Sequence, residues 1–435
     1  MMMLLPSLVL SAGTDAVERV YISTDRDCYV AGEDILCSAF CIDLNAGGCL
    51  SDCSRVAYLE LVSTDGTAQK AKIALNGGRG GGLVTIPAST PTGNYLLVAY
   101  TAQNLREEGY DYLSCSRLVG IFNTFSNERV ASGVRVVEKE DLQEAVVQPE
   151  SDGRFEIRVD RMGAAGGSAQ ISLVSHCELP ASISVSIRHD DGIIPPRPCG
   201  IGGFAASAFR PGRLRPGLSE TEGEIIRGKV VGADLASYDP SDLHAIIGTY
   251  GDKSDTYASG VAADGTVVFF TNNIYGTCRN LFTEIDGLEK GADCHVELED
   301  GFAGVKVDSL PQLTICSTMY EKLVERSVSM QMERSFNADT LRQLLPKRPG
   351  ALFNDDECER FLLDDYVRFD SVRDVIVEIL SGVRFRHSRR HGTRISVLMD
   401  DVRSPYSVGW GESLLLLDGV PVPDYDIMLG YDPDL

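Results

Sequence analysis

The sequence predicts a mainly β protein, with tandem β-sandwich domains followed by a small α+β unit. Two observations carry this. Valine, isoleucine and threonine recur in short runs of alternating polarity, and Gly, Pro, Asn and Asp fall between the runs as turns require. In roughly the last hundred residues the apolar period changes from that of a strand to that of a helix and back. A length of 435 residues suffices for several cores, and 43% hydrophobic content is that of a folded chain.

Taken in order, residues 1–16 open on an apolar stretch followed by Ser11, Ala12 and Gly13, the pattern of a secretory signal without its basic leader. Residues 17–130 are expected to form the first sandwich. Strands flank a turn at Val30-Ala31-Gly32, and "SRVAYLELVSTDG" ends in an Asp-Gly turn. Gly93 is expected to turn the chain before a strand over 95–100. There Tyr95, Leu97 and Ala99 share one face, and Leu96, Val98 and Tyr100 the other. "NGGRGGG" lacks the following helix and the Lys-Ser/Thr of a phosphate loop, so it is read as a flexible hairpin loop. Residues 131–218 form a second sandwich-like unit and 219–330 a third, with a hairpin turn expected at Asp264-Gly265. Residues 331–435 form the α+β unit. A helix is expected over "DTLRQLLPKRPG". A second places Val372, Val375, Ile376, Ile379 and Leu380 on one face, capped by Asp370 or Ser371 and ended by Gly382. "VRFRHSRRHGTRISVLMDD" reads as strand, turn, strand, and "SLLLLDGVPVPDYDI" as a further strand.

Chemistry is sparse. A net charge of -23 repels nucleic-acid phosphate and anionic lipid. No apolar run of about 18 residues stands elsewhere, so no transmembrane segment is expected. Cys37, Cys41, Cys49 and Cys53 invite a zinc reading, but a strand holds Cys37 and Cys41 about 13 Å apart. In a symmetric hairpin about Asn45, Cys41 would face Cys49 and Cys37 would face Cys53. Two disulfides and four free thiols both stay open. His387 and His391 could share a metal only on a helix, and their segment reads as a hairpin tip. The acidic "FNDDECERFLLDDY" lacks the order of a calcium loop and reads as a solvated helix face. Arg384, Arg386, Arg389, Arg390 and Arg394 make a dense basic patch. It is either a solvated turn or a contact for an acidic surface, another protein's or this chain's own. His-Glu-x-x-His, Gly-x-Ser-x-Gly and Walker patterns are missing, so no enzyme activity, cofactor or metal is expected.

The motif residues add a resemblance. Thr24-Asp25, Tyr29 and Gly32-Glu33, with "LVTIPASTPTGNYLLVAYT", resemble the macroglobulin-type, immunoglobulin-like β-sandwich. The thioester Cys-Gly-Glu-Gln of its protease-trapping members is lacking. "GEIIRGKVVG" and "DGTVVFF" resemble the carboxypeptidase-regulatory-like sandwich. "LLLLDGVPV", carrying Leu417, Asp418, Gly419, Val420 and Pro421, resembles the plug of TonB-dependent receptors. The order of units is similar to Bacteroidetes-type envelope proteins. The resemblance implies a periplasmic or cell-surface protein, associated with the outer membrane and partnered by an envelope protein. A receptor barrel of about 22 strands at about ten residues each is not expected within this chain. Transport by this chain alone is therefore not expected, and the plug is expected to be truncated. An adhesin or protease-binding surface protein is the second reading.

Overall fold

The computed structural model describes residues 17–106, 110, 112, 115–125, 134–137, 155–162, 168–176, 184, 186, 193, 209–210, 220–232, 234–249, 255–272, 274–277, 281–289, 292–336, 359–389, 392–400, 408–417, 420–422 and 424–433. It is mainly β. The signal-like start, the helix expected over "DTLRQLLPKRPG", His391, Arg390, Asp418 and Gly419 lie outside the described residues.

Among the described residues nine strands build the first sandwich: β1 (Glu18–Thr24), β2 (Cys28–Val30), β3 (Asp34–Asp43), β4 (Cys49–Leu50), β5 (Val56–Ser63), β6 (Gly66–Ala74), β7 (Arg79–Thr85), β8 (Gly93–Tyr100) and β9 (Ser116–Phe122). β3 carries β1 on one side and both β4 and β7 on the other. The facing sheet runs β6-β5-β8-β9-β2, and its outer edge is extended by Gly276–Thr277. Strand alternation sends Tyr95, Leu97 and Ala99 into the core between the sheets, with Ile22, Ile35, Leu59 and Ile73. Leu96, Val98 and Tyr100 point the other way and are also buried, beneath Ala303, Val305 and Val307. β5 and β8 are therefore buried along their whole length, which is why they read as near-continuous apolar runs.

Two glycine expectations are corrected. Gly93 does not turn the chain; it begins β8 opposite Ile121. The "NGGRGGG" stretch is a tight turn plus a strand. Gly77 and Gly78 take positive φ between Asn76 and Arg79, and Gly80 to Gly82 pair with β3. Glycine is needed there because a Cβ at Gly82 would lie 2.7 Å from Cγ1 of Ile73.

Residues 226–296 form another two-sheet core. One sheet orders Thr266–Phe270, Ile225–Val231 and His295–Leu298, and the other Asp255–Gly260, His244–Thr249 and Leu281–Asp286. The Asp264-Gly265 turn is present, with Gly265 at φ +84, but the strands on either side lie in opposite sheets. It is a corner and not a hairpin, because Val261 and Phe269 both enter the core between the sheets.

Within 131–218 the described elements are strands. Phe155–Met162 and Ser168–Ser175 pair as a hairpin, and Val134–Val137 runs parallel to Leu313–Cys316. Helix α1 (Tyr320–Ser335) follows, an element the sequence reading missed. In the last unit, α2 (Val372–Ile379) is capped by Ser371, whose Oγ accepts from the Asp374 N–H. Strands Val383–Ser388, Gly392–Asp400 and Val408–Glu412 make one sheet, and α3 (Tyr425–Leu429) follows. Ile376, Ile395, Tyr425 and Leu429 form its small core. The further strand expected over "SLLLLDGVPVPDYDI" is instead two short arms, Leu416–Leu417 and Val420–Pro421, paired with each other.

Candidate functional site: buried carboxylates at the seams

A chain this acidic has to place some carboxylates inside, and each then needs donors. Four seams show how. At the first, Glu60 interrupts the apolar run of β5 and is fully buried. Its Oε1 accepts from Tyr100 OH (2.5 Å) and Gly304 N–H (3.0 Å), and its Oε2 from Val305 N–H (3.2 Å). One side chain thereby fastens the segment over β5 and β8. Burial first, then the Glu60 charge, pushes the Tyr100 hydroxyl well above its ordinary range.

The second seam uses the motif residues. Asp25 Oδ1 accepts from Tyr29 OH (2.7 Å) and Leu36 N–H (3.0 Å), which locks the β2–β3 turn. Glu33 Oε2 accepts from Val30 N–H, and both Glu33 oxygens receive Arg326 of α1 at 2.8 Å. This forked pair is the strong geometry for arginine and carboxylate. Gly32 lies against Met330 of the same helix, so the Gly-Glu pair is a socket for α1.

At the third, Glu18 is fully buried and accepts from the hydroxyls of Ser51, Ser54 and Thr101. Its charge helps to push the buried Cys41 thiol well above its ordinary value. Fourth, Lys72 of β6 grips both oxygens of Glu224, while Tyr58 OH donates to Glu220 Oε1 at 2.7 Å. Beside this seam, Gly276–Thr277 pairs with Ala71–Lys72.

The sequence-predicted residues fare differently. The cysteine pairing is corrected. The register places Cys49 opposite Asp43 and Cys37 opposite Gly82, because β7 occupies the edge of β3 that the disulfide hairpin would need. Cys37, Cys41, Cys49 and Cys53 are free thiols. Of the arginines, Arg386 stands opposite Arg394 across the hairpin, and Arg389 is at its exposed tip. Arg394 turns to the protein's own acidic surface. It pairs with Asp286 at 2.8 Å and lies 5.0 Å over the Tyr425 ring. Arg394, Asp286 and Tyr425 line a cavity of about 370 Å³ between the 226–296 core and the last unit. His387 bonds to Thr393, and among the described residues no cluster of metal ligands occurs. Asp364 and Asp365 form a short 3-10 turn with Leu363. Of the plug-like motif, Leu417 is half-exposed and Pro421 buried. Among the described residues no helix is long and apolar enough to cross a membrane.

No family model matches the chain, and no curated protein matches it. Among solved structures it is similar to Salmonella alpha-2-macroglobulin reacted with methylamine, at 12% identity and TM-score 0.20 over 67% of this chain and 15% of that one. It is also similar to trypsin-activated alpha-2-macroglobulin from Escherichia coli, at 9% identity and TM-score 0.18 over 67% of this chain and 16% of that one. This chain spans about 15% of the length of the first of these, and a likeness at this level carries no argument about activity.

Proposed function

We propose that this chain is a non-enzymatic protein of the cell envelope. It acts as a rigid binding or structural accessory to an outer-membrane transport or assembly system, with 331–435 as its plug-like unit. The observation that carries the reading is the set of carboxylate seams. Glu60 and Glu224 tie the first sandwich to segments more than 150 residues away, and Glu33 ties it to α1. Groups buried in this way fix relative orientation, which suits a spacer that presents loops and edges to a partner. The plug-like part rests on the resemblance of "LLLLDGVPV" and on the order of α2 and its following hairpin.

The test is affinity isolation of the tagged full chain from cells after mild cross-linking and detergent extraction. Enrichment of an outer-membrane β-barrel protein, lost when 359–433 is deleted, is the expected result. Recovery with a protease or a host glycan instead would favour the adhesin or protease-binding reading, and recovery alone in the soluble fraction would overturn the accessory role.

A further inference from the structure

We propose that the seam between the first sandwich and residues 220–224 is a proton-operated latch, closed while the Glu220 carboxyl holds a proton and weakened when that proton leaves.

The geometry at Glu220 is lopsided. The residue is 3% exposed. Its Oε1 accepts from Tyr58 OH at 2.7 Å and from Ile225 N–H at 3.0 Å. Its Oε2 is buried and has no hydrogen-bond partner among the described residues. An ionised carboxylate offers about four acceptor sites and a full charge, and half of this one would meet no donor. A neutral acid in the same place leaves only a hydroxyl unanswered, which costs far less.

The surrounding charges point the same way. Glu224, 4% exposed, is the second acid of the cluster. Lys72 from β6 is the cation, and Glu224 holds it with both oxygens. Tyr58 from β5 donates to Glu220; its ring stacks on Tyr100 and meets the edge of Phe302. Tyr275 and Arg55 are the other titratable groups felt by this cluster, and Arg55 donates its backbone N–H to the Glu220 carbonyl at 2.8 Å. With both acids ionised, two buried negative charges share one ammonium. Burial is the main cause that pushes Glu220 up to about 7, and the Glu224 charge adds to it. The Ile225 and Tyr58 hydrogen bonds and Lys72 act in the opposite direction.

The sign follows from linkage. Opened to solvent, Glu220 regains the ordinary value of 4.5; closed, it titrates at about 7. Closing therefore takes up a proton between these values. The closed form is favoured most at low pH, and its advantage is lost as pH rises to about 7. A shift of this size changes the closing equilibrium by about two orders of magnitude between pH 4 and pH 8. The ladder of Gly276–Thr277 on Ala71–Lys72 is short and lies beside the cluster, so it reports the opening.

Hydrogen exchange on the full chain tests this, with rates corrected for the intrinsic pH dependence of exchange. In the wild type, protection of the amides in 71–72 and 276–277 is expected to fall at least tenfold from pH 5.5 to pH 8. Glu220→Gln, which carries no charge to release, is expected to keep its pH 5.5 protection at pH 8. Tyr58→Phe, which removes a bond to the ionised form, is expected to move the midpoint upward by about half a unit. Wild-type protection that does not change with pH would overturn the latch without reference to any variant. A Glu220→Gln protein that loses protection along the wild-type curve would overturn it as well.

Discussion

The Tyr100 hydroxyl donates to Oε1 of Glu60 at 2.5 Å and accepts from the Ala303 N–H at 2.7 Å. It is the hinge of a relay that runs from β8 through β5 to the covering segment. Glu60→Ala strands Tyr100 OH and the N–H groups of Gly304 and Val305. Each buried group left unsatisfied costs about 1–3 kcal/mol, so a loss of about 3–5 kcal/mol in urea unfolding is expected. Glu60→Gln keeps an acceptor oxygen and should lose about 1–2 kcal/mol. Equal losses for the two variants would show that the acceptor role is not what matters.

How much of this was legible in the sequence can be read from β8. Period two correctly separated Tyr95, Leu97 and Ala99 from Leu96, Val98 and Tyr100. It could not say what covers the second face, because Ala303, Val305 and Val307 lie some two hundred residues later. Glu60 was visible as one charge in "VAYLELV", and that is the signal that could have flagged it. Its partner Gly304 is 244 positions away, and Glu220 lies 162 from Tyr58, so no local pattern marks either contact. Helix α1 escaped for a related reason. "YEKLVERSVSMQMERS" buries Leu323, Ser327 and Met330, a mixed face held partly by Arg326. Likewise an Asp-Gly pair specifies a turn but not the sheet that receives the next strand.

Gly82→Ala sets its methyl carbon 2.7 Å from Ile73, within a filled core, and should cost about 1–3 kcal/mol. Gly81→Ala, one residue earlier on the opposite face, meets only the Cys37 carbonyl at 3.8 Å and should change stability by less than about 1 kcal/mol. Thermal unfolding of the pair reads the difference. Two equal losses would contradict the strand register of β7.

Thiol labelling separates the cysteines by burial. Burial, then the Glu18 charge, pushes the Cys41 thiol well above its ordinary value. Burial, then Asp25, does the same at Cys37. Cys49 is exposed. At pH 8 the folded protein should alkylate Cys49 readily and Cys37 and Cys41 only after denaturation, as mapped by mass spectrometry without reductant. Peptides joined Cys41 to Cys49 would restore the disulfide hairpin.

Arg394 bridges two units through Asp286 while stacking on Tyr425. Asp286 is 40% exposed, so solvent screens the pair and a double-mutant cycle should give about 1 kcal/mol or less. Arg394→Lys should recover little of it, since an ammonium lacks the planar face that lies on the ring. Full recovery by lysine would make charge alone the cause.

The cover over β5 and β8 sets a timetable for biosynthesis. The nascent chain has completed β8 when it still lacks Ala303, Val305 and Val307, and until they arrive Val56, Leu96 and Val98 share their cluster only with nearer residues such as Leu105, Tyr110 and Tyr112. At about 5–20 residues per second, the intervening two hundred residues take about 10–40 s to make. During that interval part of an apolar sheet face lacks its cover. Chaperones that hold extended chains would find a binding surface there, and a pause in translation near residue 300 would lengthen the exposure in direct proportion.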